Sequence, residues 1–183
     1  PQPPAQGTII LSKISVSDES GIAQSKTISF QIEQNLQPGE TLNVTVQKQG
    51  GAQLNAAATQ SGNSTNYSGE VSENGTYEVT ATISKDNVVL DTKKESIPVA
   101  GIDNEKPVID SIEQTEEKDG SKISFKVTDA NAVNVLFNGT TIAANADGSY
   151  SVTGIPAGDY IITATDAASN TATQKATVTE KQQ

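Results

Sequence analysis

The stretch Gly75-Thr76-Tyr77-Glu78-Val79-Thr80-Ala81-Thr82 decides the architecture, because it returns 83 residues later as Gly158-Asp159-Tyr160-Ile161-Ile162-Thr163-Ala164-Thr165. The same offset aligns Asn66-Tyr67-Ser68 with Ser149-Tyr150-Ser151, and Asn87 with Asn170. Farther upstream, Ser25-Lys26-Thr27-Ile28-Ser29-Phe30 matches Ser121-Lys122-Ile123-Ser124-Phe125 at an offset of 95 at the phenylalanine, so the first copy carries 12 extra residues between Gln34 and Asn66. The chain reads as two copies of one unit, residues 8–101 and 107–180, joined by a short linker at 102–106. A Pro-rich disordered tail at 1–7 and a second tail at 181–183 complete the division.

Within each copy the apolar residues alternate with polar ones. Ile28, Phe30 and Ile32 flank Ser29 and Gln31; Leu42, Val44 and Val46 flank Asn43 and Thr45; Ile123, Phe125 and Val127 flank Ser124 and Lys126. A period of two marks half-buried strands. Pro38-Gly39, Asn74-Gly75, Asp119-Gly120, Asn138-Gly139 and Asp147-Gly148 punctuate these runs with residues that accept the positive φ of a tight turn. No segment carries a sustained helical stripe, so the chain is expected to be all-β, each copy a sandwich of about seven strands. The 49–63 segment has no counterpart in the second copy. It reads as a flexible surface excursion whose Ala-rich middle forms at most one helical turn.

Composition removes several functions. The chain has 183 residues and a net charge of −10, with 12 cationic side chains, all lysine, against 22 carboxylates. Nucleic acid is excluded as a partner, since phosphate neutralisation needs a basic surface. With no His and no Cys, imidazole-based triads, thiol chemistry and zinc sites have no residues to build on. No apolar run approaches the roughly 20 residues of a membrane-spanning helix, so no membrane insertion is expected within this segment. Many carboxylates are present, but no pair is marked out for glycoside hydrolysis. The chain opens at Pro1 and contains no Met, which reads as an excerpt of a longer polypeptide. The N-x-S/T triplets at Asn43, Asn63, Asn66, Asn74 and Asn138 follow from a composition rich in Asn, Ser and Thr.

Glu73-Asn74-Gly75-Thr76-Tyr77-Glu78-Val79 resembles the tyrosine corner of immunoglobulin-like domains, and Ala157-Gly158-Asp159-Tyr160-Ile161-Ile162 resembles it again. Thr163-Ala164-Thr165-Asp166-Ala167-Ala168-Ser169-Asn170-Thr171-Ala172 is similar to the penultimate hairpin of bacterial Ig-like repeats carried in tandem by surface and secreted proteins. So are Val16-Ser17-Asp18-Glu19-Ser20-Gly21-Ile22 and the junction Gly101-Ile102-Asp103-Asn104-Glu105-Lys106-Pro107-Val108-Ile109. The resemblance implies two tandem immunoglobulin-like β-sandwich domains arranged end to end, with Tyr77 and Tyr160 in structural roles. It further implies an extracellular or cell-surface bacterial protein in which the pair is a non-enzymatic spacer presenting another module. The implied partners are neighbouring domains of the parent protein and a host protein or glycan. The alternatives are an adhesive or carbohydrate-binding module, or accessory domains of a larger extracellular hydrolase. The chain departs from antibody-type domains in lacking the core Trp and both cysteines.

Three candidate chemistries stand beside plainer readings. Asp103, Asn104 and Glu105 place three oxygen-bearing side chains in the junction, where Asp129, Asp166 or Asp18-Glu19 would be needed to complete the 6 to 8 oxygens of a calcium ion. Calcium is the one cofactor considered. The pattern resembles cadherin linkers, against which stands a solvated hinge whose Pro107 restricts Lys106. A Lys–Asn crosslink would draw on Lys13 with Asn87 or Asn170, but alternation turns the required acid, Glu78, outward. Tyr67 and Tyr150 are either exposed platforms for a sugar or, since they occupy equivalent repeat positions, shared packing residues.

Overall fold

The computed structural model describes residues 5–180, and the chain divides into two compact units between Asp103 and Asn104. Residues 1–4 and 181–183, which hold most of the expected tails, lie outside the described residues. The first unit runs β1 (Thr8–Val16), β2 (Lys26–Asn35), β3 (Thr41–Lys48), β4 (Gln53–Leu54), β5 (Ala57–Ser61), β6 (Ser64–Val71), β7 (Gly75–Lys85) and β8 (Val88–Val99). The second runs β9 (Val108–Glu117), β10 (Gly120–Thr128), β11 (Val133–Phe137), β12 (Thr140–Ile142), β13 (Tyr150–Ile155), β14 (Gly158–Asp166) and β15 (Thr171–Val178).

Two antiparallel sheets make each unit. In the first they are ordered β1-β2-β6-β5 and β4-β3-β7-β8; in the second, β13-β10-β9 and β12-β11-β14-β15. This is the immunoglobulin-like arrangement, in which the first, second and fifth strands of the fold share one sheet and the third, sixth and seventh the other. The alternation explains the layering. Ile28, Phe30 and Ile32 of β2 meet Val79, Ala81 and Ile83 of β7, all buried, with Val46 and Ile97 beside them. In the second unit Ile123, Phe125, Val135, Phe137, Ile162, Ala164 and Val178 form the equivalent core. Each fully buried aliphatic side chain contributes about 1.5–3 kcal/mol of transfer free energy, and both cores form without a disulfide.

Two hairpins use two-residue turns in which both residues have positive φ, Asp86-Asn87 (51° and 62°) and Asn138-Gly139 (49° and 86°). That turn type matches the right-handed twist of the flanking strands. The first strand of each unit is bulged around a left-handed non-glycine residue, Lys13 at φ 53° and Ser111 at φ 54°. The kink lets one strand follow a twisting neighbour.

Three expectations are corrected. Ala57–Ser61 is β5, an edge strand, and not a helical turn or a loose excursion; it pairs with β6 from Ala57↔Ser68 to Ser61↔Ser64. All five of its residues are exposed, so its pleat buries no apolar set that would have revealed it. Ile102, expected in the linker, is buried in the first core and forms a parallel bridge with Ala23. Gly7, expected in a disordered tail, is buried and donates its backbone N–H to both carboxylate oxygens of Glu40, at 3.2 and 3.1 Å.

Candidate functional site

Polar side chains inside the two units converge on loop backbone. Tyr77, on the inner face of β7, donates its hydroxyl to the Glu73 carbonyl at 2.8 Å, and Tyr160 does the same to the Pro156 carbonyl at 2.9 Å. Four residues separate donor and acceptor in each case, the geometry of a tyrosine corner. Burial raises the Tyr77 phenol above its ordinary value, opposed by the nearby Lys48 ammonium. The Glu73 side chain meets Lys48 at 2.7 Å, which holds the carboxyl below and the ammonium above their usual ranges.

Lys26 is the largest fully buried side chain, 2% exposed. Its Nζ donates to the carbonyls of Asp18 at 2.7 Å and Gly21 at 2.8 Å, with Glu19 at 3.4 Å. An ammonium has three donors and no acceptor, so a loop curled with its carbonyls inward is its natural socket. Gly101 packs against the same place at φ 78°, where a Cβ would lie 2.4 Å from the Gly21 carbonyl oxygen. Sequence reasoning passed over Lys26. The available signal was its phase, two residues before Ile28 on the inward side of β2.

In the second unit the corresponding fastening is Asp166 at the end of β14, also buried. One carboxylate oxygen accepts the N–H groups of Ala168 and Asn170, both at 2.8 Å, and the other accepts the Asn170 side-chain amide at 2.8 Å. Burial pushes this carboxyl up, but the hydrogen bonds from Asn170, Ala168 and Ser169 together outweigh it and hold it below the usual range. The Asp129 carboxylate lies within 4.8 Å of it and accepts the Asn131 N–H at 2.8 Å. Both carboxylates accept N–H groups of their own turns.

The division of the chain falls inside the acidic triplet considered for calcium: Asp103 closes the first unit, and the exposed Asn104 and Glu105 open the second. Within the first unit the approach to Asp103 is fixed. The Asn74 side-chain amide grips Ile102 from both sides, accepting its N–H and donating to its carbonyl, each at 2.8 Å, and Asp103 donates its own N–H to Ala23 at 2.9 Å.

Tyr67 stacks on Phe30 with centroids 4.9 Å apart and planes at 8°, and Tyr150 stacks on Phe125 at 5.6 Å and 12°. Equivalent repeat positions make the same cross-strand contact, opposite each other in the register. Tyr150 is buried and Tyr67 half-buried, and burial raises the Tyr67 phenol. Of the residues weighed for a crosslink, Lys13 sits exposed at the β1 bulge, Asn87 in the β7–β8 turn, and Glu78 pairs with Lys94 at 3.3 Å.

No protein-family model and no curated protein matches the chain. Among solved structures it is similar to a marsupial T cell receptor, at 13% identity over 98% of this chain and 100% of that one, with a TM-score of 0.38. A likeness of that size carries no weight here; the immunoglobulin-like assignment rests on strand order and on the two tyrosine corners.

Proposed function

We propose that the chain is a tandem pair of bacterial Ig-like domains acting as a non-enzymatic spacer, end to end, in a cell-surface or secreted protein, where it presents a neighbouring module. One observation carries the reading. The deeply buried Lys26, Tyr77, Asp166 and Asn170 all bind loop backbone or each other within their own unit, so their chemistry is committed to fastening loops. A module fastened in this way resists local opening, which is what a spacer under tension needs.

Single-molecule pulling of the whole chain from its two ends tests this. Two separate force peaks are expected, with gains in chain length in a ratio of about 4 to 3, following the spans Thr8–Asp103 and Val108–Val178. Extension without resolved peaks, or a single peak for the whole chain, would sink the spacer reading.

A further inference from the structure

We infer that the outer face of the first unit's β1-β2-β6-β5 sheet carries a binding groove for a carboxylate-bearing saccharide. The inference is independent of the spacer reading. Because Ile28, Phe30 and Ile32 point into the core, Ser29 and Gln31 point away from it. The register then assembles two cross-strand rows, Ser12, Gln31, Asn66, Thr59 and Ser29, Ser68, Ala57. Lys13, Ser29, Gln31, Thr59, Asn66 and Ser68 line a groove of about 220 Å³, and no carboxylate lines it. That is the liquid volume of about seven waters, comparable to one sugar ring.

Gln31 is the anomaly. It lies on the outward row, yet it is only 9% exposed. Its Nε2 donates to Asn66 Oδ1 at 3.2 Å, and its Oε1 is the buried side-chain polar atom, among the described residues, that has no hydrogen-bond partner. A buried acceptor without a donor is rare and asks for an explanation. The atom is closed to solvent as the side chain stands, so the Gln31 amide turns toward the groove on binding, where a hydroxyl or N–H of the ligand supplies the donor.

The surrounding chemistry names the class. Ser29, Ser68 and Thr59 hydroxyls with the Asn66 amide offer paired donors and acceptors, the complement of a polyol. Lys13 is the single cation in the lining, in a chain of net charge −10, and selects a carboxylate. The second unit has no equivalent. Lys126 replaces Gln31, Ser149 replaces Asn66, and no strand stands where β5 supplies Thr59. The 12 extra residues of the first copy thus build one wall of the groove. Tyr67 and Phe30 stack on each other, so the grip comes from hydrogen bonds and one charge, and millimolar affinity is expected.

The test is an NMR titration of the whole chain with a hyaluronan tetrasaccharide as probe. Chitotetraose, which keeps N-acetylglucosamine but has no carboxylate, runs in parallel. The tetrasaccharide is expected to move the side-chain amide signals of Gln31 and Asn66 and the backbone amides of Ser29 and Ser68 saturably, and chitotetraose to move them far less. Lys13→Gln, at an exposed position, should weaken binding about tenfold, and Lys126→Gln should leave it unchanged. Gln31→Leu should abolish the Asn66, Ser29 and Ser68 shifts while melting at or above the parent temperature, because it removes an unpaired acceptor. No saturable shift, shifts confined to other residues, or an equal response to chitotetraose would each overturn the inference.

Discussion

Replacing Lys26 by methionine keeps an unbranched stem, one atom shorter, and removes its charge and donors. The two short bonds, 2.7 Å to Asp18 and 2.8 Å to Gly21, are charge-assisted, each contributing about 1.5–3 kcal/mol. The 3.4 Å contact to Glu19 adds little. The carbonyls of Asp18 and Glu19 belong to exposed residues and regain water on a small movement. The two bonds sum to about 3–6 kcal/mol, and because these carbonyls recover water the net loss sits at the low end, about 3 kcal/mol. Native-state hydrogen exchange reads it directly, since amides in the central strands β2 and β7 report opening of the first unit. They should exchange about 150-fold faster in Lys26→Met. In Lys93→Met, which removes an exposed lysine 4.0 Å from Asp91, the same amides should change by less than about 0.5 kcal/mol. If Lys26→Met stays within that margin, the ammonium is not what holds the Asp18–Gly21 loop.

Two further outcomes are expected. Tyr77→Phe should cost about 1 kcal/mol and Tyr160→Phe less, because Tyr77 is buried whereas the Tyr160 bond is exposed; urea titrations measure both, and equal losses would contradict the ordering. Asp166 has a folded pKa below its unfolded value of about 3.9, so its contribution is present above that pH and is lost as pH falls through the folded value. Asp166→Asn, which also sets two amide groups facing each other at Asn170, should destabilise at neutral pH, with the difference shrinking in acid; a pH-independent difference would refute this linkage.

What was legible in the sequence follows from which residues face the core. β2, β7, β10 and β14 set buried apolar residues two apart, and their positions could be read almost to the residue. β5 could not, because a strand of Ala, Thr, Gln and Ser exposed on every residue has no apolar phase to detect. The tyrosine corners were legible through local spacing, since donor and acceptor are four residues apart. Lys26 and Gln31 were not, for opposite reasons. The lysine sits in the inward phase and is silenced by loop carbonyls from another segment. The glutamine sits in the outward phase, and its burial is set by strands that are distant in sequence.

The 12-residue difference between the copies also alters how each unit meets its surroundings. In the first unit β6 is an interior strand, capped by β5 along five residue pairs. In the second, β13 ends its sheet, leaving one row of backbone donors and acceptors facing outward, an arrangement that invites another chain to add itself by strand pairing. Three local features interrupt that row: a register shift between Ser121 and Ile123, Gly154 at φ 66°, and Pro156 immediately after the strand. A substitution that straightens this stretch, Gly154 above all, would turn a guarded rim into a template for self-association.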